Sequence, residues 1–72
     1  MEKTSLYYKS EGSDKEYHVT LEEGTVTVQY GRRGSALTSL TKCENCAPAK
    51  AMHVYLKLIA EKKAKGYHTD NK

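Results

Sequence analysis

The stretch Tyr17-His18-Val19-Thr20-Leu21-Glu22-Glu23-Gly24-Thr25-Val26-Thr27-Val28-Gln29-Tyr30 decides the fold. Tyr17, Val19 and Leu21 alternate with His18, Thr20 and Glu22, and Val26, Val28 and Tyr30 alternate with Thr25, Thr27 and Gln29. In a β-strand successive side chains point to opposite faces, so each arm buries one row and wets the other. Glu23-Gly24 supplies the turn between them. The stretch therefore predicts a hairpin with one buried face.

Working outward, Leu6-Tyr7-Tyr8 is a short apolar-aromatic run, followed by Ser10-Glu11-Gly12-Ser13-Asp14-Lys15, whose Gly, Ser and Asp residues predict a loop. On the other side, Gly31-Arg32-Arg33-Gly34 interrupts the strands and presents two guanidinium groups on a tight, exposed segment. Residues 35–42 predict a further strand, but Leu37 and Leu40 fall on opposite faces, which calls for a bulge or a one-sided fit. The period then changes. Met52, Tyr55, Leu56 and Ile59 form an i, i+3, i+4, i+7 stripe, widened by Ala51 and Leu58, and predict a helix over 47–65. Asn45 is the expected cap, Pro48 suits the first turn, and Gly66 is the expected stop after Lys62, Lys63 and Lys65. Tyr67-His68 is a candidate final strand.

Strands with no intervening helix pair antiparallel, and one helix covers one sheet face. The expected class is α+β: a small twisted antiparallel sheet of four to five strands with one long helix packed across one face. Met52, Tyr55, Leu56 and Ile59 are expected to be buried against Val19, Leu21, Val26 and Val28. One domain is expected over 1–72, with a core of about 6–68 and a loose tail at 69–72.

Size and composition narrow the function. A chain of 72 residues buries only about 60% of its unfolded surface, too little to spend on an enclosed catalytic cavity. A non-catalytic binding module is expected. No run approaches the ~20 apolar residues of a membrane span, and the amino-terminal residues show no apolar signal run, so a cytoplasmic protein without membrane association is expected. Phe and Trp are absent, so six tyrosines supply all the aromatic area, and some are expected on the surface. The net charge of +3 is unevenly spread. Residues 1–24 carry three lysines against six carboxylates, whereas residues 25–72 carry nine basic groups against Glu44, Glu61 and Asp70. That asymmetry favours an anionic partner, set against plain solubilising charge.

Tyr30-Gly31-Arg32-Arg33-Gly34 carries the most chemistry. Arginine binds phosphate or carboxylate through a rigid fork of donors, and a neighbouring aromatic ring can stack on a sugar or base. Tyr30, Gly31, Arg32, Arg33 and the basic Lys42 form the expected nucleic-acid-binding set. A hairpin tip with merely soluble arginines is the competing explanation. Cys43-x-x-Cys46 lacks the further ligands of a zinc site at any standard spacing and lacks the βαβ surroundings of a redox motif. Both cysteines are expected as reduced thiols, one packed and one partly exposed, with no metal and no cofactor. His18, His53 and His68 read as lone surface histidines.

Taken together, Ser13-Asp14-Lys15-x-Tyr17, the hairpin, Tyr30-Gly31-Arg32-x-Gly34, a helix containing Ala51, and Lys62-x-x-Lys65-Gly66-Tyr67 resemble a WGR domain over roughly residues 6–68. Tyr30 stands where the family signature has tryptophan. The resemblance implies an antiparallel sheet with one helix against it. It also implies a role like that in DNA-damage-responsive poly(ADP-ribose) polymerases, where the motif contacts the end of a broken strand and relays this to a catalytic domain. Tyr30 would stack on a terminal sugar or base, and Arg32 would contact backbone phosphate or a neighbouring domain. Arg33 lies at a variable position and is included for its charge. No ADP-ribosyl transfer machinery fits into the remaining residues. A monomer binding DNA ends or nicks is expected, with an acidic protein partner as the alternative.

Overall fold

The computed structural model describes residues 1–69. The strands are β1 (Glu2–Ser10), β2 (Ser13–Glu22), β3 (Thr25–Arg32) and β4 (Thr38–Cys43), followed by helix α1 (Pro48–Ala64) and a short β5 (His68–Thr69). They form one five-stranded antiparallel sheet in the order β4-β3-β2-β1-β5. The central hairpin forms as expected around Glu23-Gly24, and its register sets Tyr17 opposite Tyr30, Val19 opposite Val28 and Leu21 opposite Val26. Of the expected tail, 70–72 lie outside the described residues, while Thr69 belongs to β5 and pairs with Leu6.

Helix α1 lies on the face that carries Leu6, Tyr17, Val19, Leu21, Val26 and Val28, all buried. The expected loop over Ser10–Lys15 is instead a two-residue turn. β1 and β2 pair as far as Ser10 with Ser13, leaving only Glu11-Gly12 between them, and Gly12 takes a φ of +79° that suits glycine. Ladder hydrogen bonds here outweigh the turn-forming tendency of Ser and Asp. The bulge expected in the fourth strand occurs at Lys42. Thr27 pairs with Thr41 and Val26 with Cys43, so Lys42 is skipped and Cys43 turns inward.

The helix has the expected span, but its buried face is rotated about its axis. Ala51 and Tyr55 are buried, with Val54, Leu58 and Ile59 partly so, whereas Met52 and Leu56 are 38% and 55% exposed. The expectation that Met52 and Leu56 are core residues is therefore corrected. The small Ala51 lets the helix backbone settle close to the sheet. The Tyr55 hydroxyl then reaches Thr4 Oγ1 on β1 at 2.6 Å, which fixes the rotation and leaves the Leu56 flank outside. Asn45 does not cap the helix. Ala47 does, without a side-chain hydrogen bond, and Asn45 sits in the preceding turn at φ +53°. Gly66 ends the helix as expected, at φ +110°, where a Cβ would come within 3.0 Å of the Tyr8 ring.

The cysteines differ most from expectation. Cys43 and Cys46 are joined in a disulfide rather than present as free thiols. The inward turn of Cys43 at the bulge and the reversal through Asn45 leave their Cα atoms 6.2 Å apart, within bridging range.

Candidate functional site

Strand register builds the site. On the helix side of the sheet, Leu6, Tyr17, Tyr30 and Thr38 form one cross-strand row, and Tyr8, Lys15 and Arg32 form the next. These rows lie where the last turn of α1 crosses the sheet. Tyr30 shares the parity of Val26 and Val28 but is 38% exposed, its ring 6.4 Å from that of Tyr17. Lys62, from the last helical turn, holds its ammonium 4.7 Å from the Tyr17 ring centroid and 5.4 Å from that of Tyr67. The Tyr67 ring in turn lies 5.3 Å from Tyr8 and 6.3 Å from Tyr17. The result is a tyrosine-walled groove with a lysine at its centre.

Tyr30, Gly31 and Arg32 line one cleft of this groove, about 290 Å³, with Lys15, Tyr17, Lys62 and Tyr67, and with Asp14 and Glu16. A neighbouring cleft places Lys42 with Tyr30, Leu40, Glu61 and Lys62. A third joins Tyr8, Lys15, Lys65 and Tyr67 to the same Lys62. Lys62 is common to the three clefts, which between them also carry Lys15, Lys42 and Lys65. Burial, followed by the charges of Lys65, Lys42 and Lys15, holds the Lys62 ammonium below the usual lysine range, with Glu61 opposing. Burial also raises the Tyr17 hydroxyl, helped by Glu61 and by Tyr67 and Tyr30.

Arg33 is not part of this groove. Its guanidinium stacks 4.9 Å over the ring of Tyr7, on the opposite face of the sheet. The cause is local. The Arg33 backbone N–H donates to the Asp14 carbonyl at 2.8 Å, and the Glu16 carboxylate accepts from the Gly34 backbone N–H, pinning the turn. Gly31 makes room for the chain's return, since a Cβ there would meet Leu37 Cδ2 at 3.3 Å.

His18 lies on this second face and is not a lone surface residue. Its Nε2 is 2.6 Å from Glu16 Oε1, its Nδ1 is 2.8 Å from Ser5 Oγ, and Tyr7 packs edge-on to its ring at 6.0 Å. That hydrogen bond, and the imidazole charge after it, hold the Glu16 carboxyl below its usual range. The Ser5, Glu16 and His18 positions come together through the pairing of β1 with β2, a register that sequence spacing alone does not reveal.

Of the expected binding residues, Tyr30, Gly31 and Arg32 therefore line one cleft with Lys15, Tyr17, Lys62 and Tyr67. Lys42 lines a neighbouring cleft that shares Tyr30 and Lys62 with it, and Lys65 a third that shares Lys15, Lys62 and Tyr67. Arg33 lies outside these three and borders, with Arg32, a shallow cleft at the β1–β2 turn. Among the described residues, no helix is long and apolar enough to cross a membrane.

The family described as the WGR domain matches residues 2–72 of the chain. A crystal structure of a Bacteroides fragilis protein superposes with a TM-score of 0.86 at 28% sequence identity, covering 97% of this chain. The match takes in 20% of that protein's chain, so the present sequence corresponds to about a fifth of its length. No curated protein matches the sequence.

Proposed function

This chain belongs to the WGR domain family, and from that premise we propose that it is a nucleic-acid-binding module, with DNA ends or nicks held in the groove between Tyr30 and Tyr67. One observation carries the reading. Lys62 lies among tyrosine rings, flanked by Lys15, Lys42 and Lys65, and its own charge is disfavoured in the free protein. A phosphate brought to this point relieves the repulsion among the lysines. Compact positive charge beside exposed aromatic faces suits a strand terminus, where phosphate and an unstacked base or sugar are presented together.

In this reading Tyr30 offers its face to a terminal base or sugar, with less area than the tryptophan of the family signature. Lys15, Lys62 and Lys65 meet phosphate, and Arg32 reaches the backbone from the rim. Arg33 has no part in the contact. The family is one of binding domains, and the groove is read accordingly as a recognition surface rather than a reaction site.

Fluorescence anisotropy with a labelled blunt-ended or nicked DNA hairpin, repeated over a range of salt, tests the proposal. Binding that weakens linearly on a log–log salt plot, with a slope corresponding to about three or more phosphates, is expected. Absence of binding at low salt overturns the proposal and leaves an acidic protein surface as the ligand, for which salt dependence is shallower.

A further inference from the structure

We propose that Cys43 and Cys46 form a reversible thiol–disulfide exchange site, with Cys46 as the sulfur that meets an incoming protein thiol or dithiol. The site lies outside the tyrosine groove, at the junction of β4 and α1, and its argument is independent of nucleic-acid binding.

The two sulfurs are unequal. Cys43 is 8% exposed and packs in the core beside Val26, whereas Cys46 is half-buried and borders an open cleft of about 510 Å³. Met1, Leu21, Pro48 and Met52 line that cleft, with Glu2 and Glu23 also bordering it, so an incoming polypeptide meets apolar surface flanked by carboxylates. The first turn of α1 contains no acidic residue, and its positive end lies two residues beyond Cys46. Both features favour the thiolate at Cys46 once the bridge is opened, since unpaired helix N–H groups stabilise nearby anions.

The scaffold holds both partners in place without the bridge. The Cys46 backbone N–H donates to the Gly24 carbonyl at 2.9 Å, the Asn45 N–H donates to Thr25 Oγ1 at 3.4 Å, and Cys43 is paired in the sheet. Gly24 fits this junction closely: a Cβ there would sit 2.4 Å from the Cys46 carbonyl oxygen, so the approach is specific to glycine. The bridge spans a sequence separation of only three, so opening it frees little chain entropy. A pair that opens while the fold stays intact and closes again without a search is what exchange requires.

The reaction is a two-electron transfer. A thiolate of the incoming dithiol attacks Cys46 Sγ, forming a mixed disulfide, as the Cys43–Cys46 bond breaks and Cys43 leaves as a thiolate that takes a proton from water. The second thiolate of the dithiol then attacks its own sulfur in the mixed disulfide and releases Cys46. The dithiol ends as a disulfide, and the cysteine pair ends reduced. The reverse sequence oxidises the pair.

Two measurements on the full chain test this. The wild-type protein is equilibrated in dithiothreitol redox buffers and the free thiols are counted by alkylation and mass spectrometry, with circular dichroism recorded in parallel. A complete, reversible two-thiol transition with an unchanged spectrum is expected. Single variants are then challenged with 5,5′-dithiobis(2-nitrobenzoate). Cys43→Ser, which leaves Cys46, should react at least tenfold faster than Cys46→Ser, which leaves Cys43. A pair that reduces only when the protein unfolds, or that stays reduced in every buffer, overturns the proposal. Equal rates in two folded variants overturn the role of Cys46, and circular dichroism of each variant identifies any that fails to fold.

Discussion

Arg32 and Arg33 are chain neighbours that share a cleft at the β1–β2 turn but reach toward opposite faces of the sheet, and the difference between those faces is instructive. On the helix side, Arg32 joins a groove in which lysines are crowded and only partly compensated. On the other side, Arg33 is already engaged: it covers Tyr7, and its turn is held by Asp14 and Glu16. His18 on that face is bonded to Glu16 and to Ser5 and packs against Tyr7. In the groove Lys62 meets the Tyr17 and Tyr67 rings but also faces Lys15, Lys42 and Lys65, with Glu61 opposing. In the proposed reading, a ligand on the helix side would relieve crowded like charge beside the exposed Tyr30 ring, whereas the groups around His18 already have partners.

The largest expected effect tests the groove directly. Lys15→Glu combined with Lys62→Glu should lower DNA affinity at least a hundredfold in anisotropy titrations and flatten the salt slope by about two units, one for each lost phosphate contact. If the same change leaves binding intact, the helix-side groove is not the site. Tyr30→Ala comes next. It should lose about 1–3 kcal/mol of affinity with the salt slope unchanged, because stacking releases no counterions. Tyr30→Trp should bind more tightly without loss of melting temperature, since the ring is partly exposed. The arginine pair then sharpens the comparison. Arg32→Ala should weaken binding severalfold and reduce the slope by about one unit, while Arg33→Ala leaves both unchanged. Equal effects of the two would mean that the ligand spans both faces.

A smaller effect follows from the Lys62 charge. Burial and neighbouring lysines depress its pKa in the free protein, and a bound phosphate favours the charged form, raising the pKa again. Binding therefore takes up a fraction of a proton wherever the free protein has partly lost it. Affinity should fall as pH rises toward 10.5, the ordinary lysine value, because the depressed Lys62 pKa lies below it. Lys62→Met retains the buried stem and removes the charge. It should abolish this pH dependence and leave thermal stability unchanged or slightly higher.

Much of the fold was legible because period-two and period-3.6 patterns survive in Tyr17–Tyr30 and in the helix. What was missed depended on tertiary approach. The stripe from Met52 to Ile59 identifies the helix, but Ala51 and the Tyr55–Thr4 bond set its rotation, and neither outranks Leu56 by hydrophobicity. The disulfide was hidden because the bulge at Lys42, rather than the Cys-x-x-Cys spacing, turns Cys43 inward. At the site, Tyr30, Arg32 and Lys42 stood out as a local motif or a basic strand residue. Lys62 and Lys65 read as partners of the helix dipole, and Lys15 as loop charge. Only strand pairing across Lys15–Arg32 and the folding of the helix end over Tyr17 bring them to one place. The placement of Arg33 over Tyr7 is equally a matter of tertiary approach, since its turn is held by Asp14 and Glu16 on β2.

Backbone amide shifts, followed as an unlabelled blunt-ended DNA hairpin is added to the isotopically labelled chain, test the central claim most directly. Shifts concentrated at Lys15, Tyr17, Tyr30, Arg32, Lys62 and Tyr67, with Ser5, Tyr7, His18 and Arg33 nearly still, are the result expected from a helix-side groove. Shifts centred on Tyr7, His18 and Arg33, or no shifts at low salt, would contradict it.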